Sequence, residues 1–185
     1  MKFDPEWAIA ESTFNYIKSI LPEGKTILEI GSGWGTGFLA NHYKMYSIEA
    51  NKDWVGKFKS TYIYAPIKMY DMVYQESLDS WQLISNNSQD NYMSPDIVDN
   101  FGWHDPDIVK SKIENIKYDL ILIDGPEGRI GRGGFYKHLE LFNTNVPMIF
   151  DDIGRKAEMD LLKKVSQKVK RDYILLDDNV TGVIL

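Results

Sequence analysis

The stretch Thr26-Ile27-Leu28-Glu29-Ile30-Gly31-Ser32-Gly33-Trp34-Gly35 decides the fold of this chain. Its first five residues form a short apolar run with one acid, typical of a buried strand, and three glycines follow at alternate positions. A helix is expected next, from about Thr36 to Tyr43. A glycine-rich turn between a buried strand and a helix presents backbone N–H groups to a polar or anionic ligand. We therefore expect an α/β fold with a ligand site at this turn.

The alternation of strand and helix continues along the chain. Further strands are expected at 45–49, 61–67, 118–123, 146–150, 173–176 and 180–185, and helices at 52–59, 135–142 and 155–169. An earlier helix is marked by apolar residues at steps of three and four, namely Trp7, Ala10, Phe14, Ile17 and Leu21. The alternation predicts a Rossmann-like, doubly wound α/β fold: a mainly parallel seven-stranded sheet, covered on both faces, with an antiparallel C-terminal strand.

The composition is that of one globular domain. The chain has 185 residues, of which 43% are hydrophobic and 26% charged. Its net charge of -6 argues against nucleic acid as a partner, because nucleic-acid binders carry a basic face. The absence of cysteine excludes disulfides, thiolate metal sites and cysteine nucleophiles. Without an apolar signal segment or a run of about 20 apolar residues, we expect a cytoplasmic protein with no membrane partner.

One segment departs from the alternation. Residues from about 71 to 106 are rich in Asn, Ser, Asp and Gln, with aromatic residues scattered among them. A long loop inside a compact domain is usually disordered or functional, so this segment is either a lid over a substrate cleft or a plain surface insertion. The expected organisation is a single domain over 1–185 with an insertion or lid at about 71–106.

The spacing of the glycines distinguishes two classes of nucleotide-binding loop. A dinucleotide fingerprint needs Gly-x-Gly-x-x-Gly, but its third position falls on Thr36 or Phe38, depending on the starting glycine. The observed pattern, acid-x-Gly-x-Gly-x-Gly from Glu29 to Gly35, resembles motif I of class I S-adenosylmethionine-dependent methyltransferases. The resemblance implies that the glycines admit S-adenosylmethionine to the backbone while Glu29 helps to hold its amino-acid end.

A second acid strengthens this interpretation. Glu49 ends the second strand, about twenty residues after the glycine turn, where a carboxylate can accept hydrogen bonds from ribose hydroxyls. The plainer alternative is a structural turn followed by a solvated acid. The expected cofactor-binding residues are Glu29, Gly31, Ser32, Gly33, Gly35, Thr36, Glu49 and Asp124.

Three acids fall at the ends of two later strands. Asp124 follows the fourth strand of the sheet, and Asp151 and Asp152 follow the fifth. Ligands bind at this edge of such sheets, and hard oxygen ligands suit Mg²⁺ or another divalent metal. The arrangement resembles the metal site of catechol and macrocin-type O-methyltransferases, which implies a metal that lowers the pKa of the substrate hydroxyl and orients its oxygen. The plainer alternative is that Asp152 caps the next helix and Asp151 is solvated.

A longer set of motifs, from about Thr26 to Glu158, is similar to sugar O-methyltransferases of the glucuronoxylan glucuronic acid 4-O-methyltransferase type. The set comprises Tyr64-Ala65-Pro66, Tyr70-Asp71, Asp124-Gly125-Pro126-Glu127-Gly128, Arg132-Gly133-Gly134-Phe135-Tyr136 and Phe150-Asp151-Asp152-Ile153-Gly154-Arg155. The chain departs from that type in its Gly131-Arg132-Gly133-Gly134 spelling and in the insertion, and we also expect no secretory anchor. The resemblance implies that Arg132 and Tyr70 face a sugar acceptor, whereas Arg129 is better interpreted as a solvated loop charge.

The transfer needs help in removing a proton, because a sugar hydroxyl is a poor acid. The candidate catalytic residues are Asp124, Glu127, Asp71 and His138. If Asp124 holds a metal, Glu127 or Asp71 becomes the better base. His138 falls inside a predicted helix, where a structural histidine is the commoner outcome, and His104 reaches the cleft only if the insertion folds over it.

The expected function is transfer of a methyl group from S-adenosylmethionine to a hydroxyl of a sugar, glycan or glycoconjugate. Two alternatives stay open: methylation of another small hydroxylated molecule such as a catechol, and a non-catalytic adenosyl-binding domain. Methylation of amino groups in nucleic acids is disfavoured. Such enzymes place Asp/Asn-Pro-Pro-aromatic after the fourth strand, where this chain reads Asp124-Gly125-Pro126-Glu127. A homodimer is also left open.

Overall fold

A computed structural model describes residues 9–70, 72–75, 80–83, 102–128, 130–176 and 179–185. The helices in this part of the chain are α1 (Glu11–Ile20), α2 (Trp34–Leu39), α3 (Pro106–Ile113), α4 (Gly134–Lys137) and α5 (Lys156–Val169). The strands are β1 (Thr26–Ile30), β2 (Lys44–Glu49), β3 (Thr61–Tyr64), β4 (Ile67–Met69), β5 (Met72–Gln75), β6 (Ser80–Leu83), β7 (Gly102–His104), β8 (Leu120–Ile123), β9 (Met148–Phe150), β10 (Tyr173–Leu175) and β11 (Gly182–Ile184). None of these helices combines the length and the apolarity needed to cross a membrane.

A central sheet of seven strands has the order β10-β11-β9-β8-β1-β2-β3. Strands β3, β2, β1, β8 and β9 pair in parallel, whereas β11 runs antiparallel to both of its neighbours. The crossover from β3 to β8 separates the two halves of the parallel region and is typical of doubly wound sheets. The predicted fold class, including the antiparallel C-terminal strand, is confirmed.

The parallel strands are buried on both faces because helices cover each side of the sheet. Ile27 of β1 packs in a cluster with Ile17 of α1 and Leu39 of α2. The next residue, Leu28, points to the opposite face and joins the cluster that contains Val109 of α3 and Leu161 of α5. Successive side chains of a strand alternate between faces, so a continuous apolar run serves both layers.

The strand register brings the predicted site residues to one edge. Ile30 of β1 pairs with Ile48 of β2 on one side and with Ile123 of β8 on the other. Ile123 in turn pairs with Phe150 of β9. The residues that follow these four partners are Gly31, Glu49, Asp124 and Asp151. They therefore emerge side by side at the carboxyl edge of the sheet.

The predicted helix at 52–59 is wrong. This segment forms a series of turns, in which Gly56 has a φ of +81°, outside the helical region. Its aromatic side chains pack on each other instead, with the rings of Trp54 and Phe58 stacked at a centroid distance of 6.1 Å. The predicted helix at 135–142 is also shorter, since α4 ends at Lys137 and a 3-10 turn spans Leu139–Leu141.

The predicted insertion contains regular structure at its end. Strand β7 pairs antiparallel with β4, and α3 follows immediately. The Asp105 carboxylate accepts hydrogen bonds from the backbone N–H groups of Asp107 and Ile108, and Pro106 occupies the first helical turn. These are ordinary signals for a helix start. Most of residues 71–101, and with them the proposed lid, lie outside the described residues.

Candidate active site

A cavity of about 910 Å³ opens at the carboxyl edge of the sheet. Its wall includes Gly31, Ser32 and Gly33 after β1, Glu49, Ala50 and Asn51 after β2, Asp124, Gly125, Pro126, Glu127 and Gly128 after β8, and Asp151 and Asp152 after β9. The volume lies in the range of cavities that enclose a small molecule or cofactor. Most of the predicted site residues therefore share one cavity.

The glycine turn after β1 packs directly against the loop after β8. Gly31 has a φ of +86°, and a Cβ at this residue would lie 2.8 Å from Cα of Gly125. A Cβ on Gly125 would lie 2.6 Å from Cα of Gly31. Both residues must be glycine for the two backbones to approach this closely. This contact fixes the spacing of two loops that form the cavity wall.

Glu29 lies beneath the glycine turn and is not part of the cavity wall. Its carboxyl group accepts hydrogen bonds from Oγ1 of Thr36 at 2.8 Å and from Oγ of Ser47 at 2.7 Å. Oγ1 of Thr36 also accepts a hydrogen bond from the backbone N–H of Gly33 at 3.0 Å. Burial raises the pKa of Glu29 to about 8. In the described structure, Glu29 acts on the turn through Thr36.

Glu49 fastens the other side of the same turn and faces the cavity. Its Oε2 accepts hydrogen bonds from the backbone N–H of Ser32 at 2.9 Å and from Oγ of Ser32 at 2.6 Å. Its Oε1 accepts one from the backbone N–H of Asn51 at 2.7 Å. A carboxylate offers about four acceptor positions, so Glu49 retains acceptor capacity for a ligand hydroxyl. If the Ser32 hydroxyl gave up its hydrogen bond to Glu49, a second acceptor position would become available.

The three acids after β8 and β9 form a compact group, which we call the acid cluster (Asp124, Asp151 and Asp152). One carboxylate oxygen from each residue lies within 4.8 Å of the other two. Asp152 does not cap α5, which has Arg155 as its N-cap and no side-chain cap. Asp151 is buried, so it is not a solvated surface acid. The plainer alternative for these two residues is therefore wrong.

Arg132 inserts its guanidinium group into the acid cluster. Its Nη2 donates to Oδ2 of Asp152 at 2.6 Å and to Oδ1 of Asp124 at 3.2 Å. Its Nη1 donates to the backbone carbonyl of Asp151 at 2.7 Å. The side chain is 4% exposed. In this structure the contacts of Arg132 are with the protein, and its predicted contact with an acceptor stays a prediction.

The charges of the site leave room for a divalent cation. Burial raises the pKa of Asp151 to about 8 and that of Asp124 to about 6, and repulsion from the Asp124 carboxylate adds to the rise for Asp151. Arg132 interacts with a fourth acid, the buried Glu158, and Arg155 contacts Asp152 at 3.1 Å. When the acid cluster and Glu158 are all ionised, they carry four negative charges. Arg132 and Arg155 carry two positive charges, so an excess of two negative charges remains. Both this balance and the hard oxygen donors fit Mg²⁺.

No protein-family model matches this chain, and no curated protein matches its sequence. Solved structures do resemble it. MycE methyltransferase from the mycinamycin biosynthetic pathway, in complex with Mg and SAH, superimposes with a TM-score of 0.51 at 12% identity, over 93% of this chain and 44% of MycE. The complex of MycE with Mg, SAH and mycinamycin VI gives a TM-score of 0.51 at 11% identity, over 93% of this chain and 47% of MycE.

A methyltransferase-like protein from Silicibacter pomeroyi superimposes with a TM-score of 0.54 at 16% identity, over 99% of this chain and 89% of that protein. The chain has the Rossmann-like methyltransferase fold. It spans less than half the length of MycE. At these identities the likeness concerns the fold, and the chemistry must be argued from this chain's own residues.

Several predicted site residues lie away from the cavity wall. Gly35 and Thr36 belong to the first turn of α2, where Gly35 packs against Ile9. The ring of His138 stacks on Trp103 at a centroid distance of 5.3 Å, as expected for a structural histidine. The hydroxyl of Tyr70 is buried, and its ring contacts the Lys137 ammonium group at 4.0 Å. The remaining candidates, Asp71 and Arg129, lie outside the described residues.

The cavity wall also contains residues that were not predicted for the site. They include Ala50, Asn51, Trp54, Ile67, Ile130 and Arg155, whereas His104 was expected there only if the insertion folds over the cleft. Position in the chain offered a signal for Asn51 and Trp54, because the loop after β2 faces the same edge as Glu49. Arg155 ends the motif Phe150-Asp151-Asp152-Ile153-Gly154-Arg155, which by itself predicts no role for the arginine. His104 is brought to the cavity by the pairing of β7 with β4.

Proposed function

We propose that this chain is an S-adenosylmethionine-dependent O-methyltransferase that methylates a sugar hydroxyl with the help of a divalent metal. One observation carries the proposal: the acid cluster, the glycine turn and Glu49 share the wall of a single cavity. MycE, which has a similar fold, binds both Mg and SAH. The same pair of ligands suits the donors that this chain presents.

The glycine turn and Glu49 are the proposed cofactor side of the cavity. Gly31 and Gly33 leave the backbone open to a ligand, and Glu49 offers acceptor positions to ribose hydroxyls. Glu29 contributes from below, because it holds Thr36 and, through Thr36, the N–H of Gly33. S-adenosylmethionine supplies a methyl group bound to a positively charged sulfur, and this side of the cavity orients it.

The acid cluster is the proposed metal side of the cavity. Asp124, Asp151 and Asp152 would hold the ion, while Arg132 fixes two of these carboxylates and offsets part of their repulsion. A divalent ion supplies positive charge that lowers the pKa of an acceptor hydroxyl and orients its oxygen. Because Asp124 serves the metal in this arrangement, the proton needs a different acceptor.

Glu127 is the proposed base, since it follows Asp124 by three residues and lies in the cavity wall. It would accept the hydroxyl proton as the acceptor oxygen takes the methyl carbon. S-adenosylmethionine would supply that carbon and leave as S-adenosylhomocysteine, with the electron pair of the broken carbon–sulfur bond on sulfur. The methyl ether and a protonated Glu127 would be the other products.

The proposal of a sugar acceptor rests on the resemblance of the motif set to sugar O-methyltransferases and on the charged groups of the cavity wall. Arg155 reaches this cavity with a half-exposed side chain, and Arg132 also lines it. Guanidinium and carboxylate groups suit an acceptor with several hydroxyl groups. A catechol or another small hydroxylated molecule is the second candidate, because the same metal chemistry serves it.

Calorimetry tests the proposal directly. S-adenosylhomocysteine is titrated into the protein with and without Mg²⁺, alongside the double variant Asp151→Asn/Asp152→Asn. We expect cofactor binding in both proteins and a Mg²⁺-binding signal in the wild type only. Cofactor binding without any Mg²⁺-binding signal would contradict the proposed metal site. Glu127 alone would then assist in removing the hydroxyl proton. Absence of cofactor binding would contradict the methyltransferase function.

Screening for turnover then separates the acceptors. Wild-type protein with S-adenosylmethionine and Mg²⁺ is offered mixtures of sugars and of catechols, and S-adenosylhomocysteine release is measured. Release with sugars alone supports the proposed acceptor, and release with catechols alone contradicts it. Cofactor binding with no turnover on any acceptor would favour a non-catalytic adenosyl-binding domain.

A further inference from the structure

His104 is a buried histidine in the cavity wall, and one of its ring nitrogens has no hydrogen-bond partner among the described residues. It is 1% exposed, and its Nδ1 lies 3.0 Å from the backbone carbonyl oxygen of Ala65. A carbonyl oxygen only accepts, so Nδ1 carries the proton and Nε2 presents a lone pair. Within the described part of the chain, Nε2 has no hydrogen-bond partner. An unpaired buried acceptor is costly, which suggests that a ligand supplies the missing donor.

The surrounding backbone holds this imidazole in place. His104 pairs with Ile67 in the ladder of β7 and β4, and the N–H of the next residue, Asp105, donates to the carbonyl of Pro66 at 2.9 Å. The Trp103 ring contacts the imidazole edge to face at a centroid distance of 5.7 Å. Burial also lowers the pKa of His104 to about 4, so the ring is neutral at physiological pH. A neutral, fixed imidazole is a dependable hydrogen-bond acceptor.

The position of His104 along the sheet edge indicates which part of a ligand it meets. The acid cluster follows β8 and β9, the glycine turn follows β1, and Glu49 is the last residue of β2. Ala65, which holds His104, lies just beyond β3 at the opposite end of this series. A cofactor with its ribose on Glu49 and its methyl group beside the acid cluster must direct its base towards β3. His104 stands at that end.

We propose that His104 selects the adenine base of the cofactor by accepting a hydrogen bond from the exocyclic amine on Nε2. The inference rests on the proposed function, and it assigns to a strand at the end of the insertion a role in cofactor specificity. Adenine carries a donor at this position, whereas hypoxanthine carries a carbonyl oxygen. Nε2 of His104 and the carbonyl oxygen of hypoxanthine are both acceptors, so they form no hydrogen bond and repel each other. The site therefore rejects the deaminated base.

The test compares two ligands and needs no variant for its first result. S-adenosylhomocysteine and S-inosylhomocysteine, in which oxygen replaces the amine, are titrated separately into the wild-type protein by calorimetry. We expect S-adenosylhomocysteine to bind at least about tenfold more tightly. Equal affinities would overturn the inference and leave the proposed function standing. Failure of both ligands to bind would overturn the two together.

Variants then assign the discrimination to this residue. His104→Leu removes the acceptor, and the affinity ratio should fall to near one, mainly through weaker S-adenosylhomocysteine binding. His104→Gln restores an acceptor oxygen and should restore part of the ratio. His104→Met serves as the apolar variant if His104→Leu does not fold. His42→Gln, at a histidine bonded to Glu23 outside the cavity wall, is the control and should leave the ratio unchanged. A ratio that survives in a folded apolar variant would overturn the inference.

Discussion

Nη2 of Arg132 donates a hydrogen bond of 2.6 Å to Oδ2 of Asp152. The two residues lie in separate loops, after β8 and after β9, so this bond ties the two sides of the acid cluster together. The guanidinium group also offsets charge among carboxylates that would otherwise repel each other. Arg132 therefore prepares the acid cluster in the absence of a metal and shares its carboxylates when one binds.

The first prediction concerns this role of Arg132. Arg132→Gln leaves buried carboxylates without their cation and should destabilise the protein by about 3 kcal/mol, as the loss of one partner from a buried ion pair usually does. Mg²⁺ can supply the missing charge. Millimolar Mg²⁺ should therefore raise the melting temperature of the variant more than that of the wild type, as measured by thermal denaturation.

Arg171→Gln is the matched control for that experiment. Arg171 donates to the backbone carbonyls of Thr144, Val146 and Leu185, and it belongs to no group of three acids in the part of the chain that the structure describes. Mg²⁺ should not rescue this variant. Equal effects of Mg²⁺ on both variants would show that the acid cluster does not hold the ion.

The metal prediction illustrates what a sequence does and does not reveal. Asp124, Asp151 and Asp152 were predictable as neighbours, because topology alone brings the ends of adjacent parallel strands to one edge. The position of Arg132 was not. Arg132 lies in a loop, and the conformation of that loop depends on tertiary contacts. Sequence periodicity does not predict such a conformation. A residue predicted to face an acceptor thus lies among the acids.

The second prediction concerns the contact between Gly31 and Gly125. Gly31→Ala places a Cβ 2.8 Å from Cα of Gly125 and also demands a positive φ from alanine. Gly24→Ala is matched to it, because Gly24 has a similar φ of +81° but open space around its Cβ position. We expect Gly24→Ala to cost about 1 kcal/mol, and Gly31→Ala to cost about 1–3 kcal/mol more, by urea denaturation. Equal costs would mean that the two loops separate freely.

The third prediction tests Glu49 as the ribose ligand. Glu49→Gln removes the charge from hydrogen bonds that would reach ribose hydroxyls, so S-adenosylhomocysteine affinity should fall by roughly tenfold or more. Mg²⁺ binding should not change, because the acid cluster is intact. Calorimetry measures both. Asp53→Asn, at an exposed acid in the same loop and outside the cavity wall, is the control. Equal affinities of the wild type and Glu49→Gln for S-adenosylhomocysteine would contradict the assignment of Glu49 as the ribose ligand.

Local patterns predicted the elements that carry their own signals, and failed where distant contacts decide. The run from Thr26 to Gly35 formed the expected strand and turn, because burial and glycine both act locally. The helix predicted at about 36–43 formed as well, but it begins at Trp34 and ends at Leu39. The predicted helix at 52–59 did not form, since Gly56 adopts a positive φ and Trp54 packs on Phe58 instead. The ladder of β4 and β7 joins segments more than thirty residues apart, which no short pattern signals.

The fourth prediction concerns the protonation of Glu29. Burial raises its pKa from 4.5 to about 8, so the folded protein binds this proton more tightly than the unfolded chain does. Stability from this group is therefore present at low pH and is lost as pH rises from about 4.5 through about 8. Glu29→Gln has no proton to lose and keeps an acceptor oxygen for Thr36 or Ser47.

The variant should match the wild type within about 1 kcal/mol near pH 5 and exceed it by at least about 2 kcal/mol near pH 8, since each unit of pKa shift is worth about 1.4 kcal/mol. Urea denaturation at several pH values measures both curves. The acid cluster is present in both proteins, and its link to Glu29 is the charge repulsion that contributes to the raised pKa of Asp124. The difference between the two curves therefore reports mainly on Glu29. Glu114→Gln, at an exposed glutamate, controls for the loss of one negative charge. Parallel curves for the wild type and Glu29→Gln would mean that Glu29 is ionised in the folded protein, and its contact with Thr36 would then hold the glycine turn as a charged hydrogen bond.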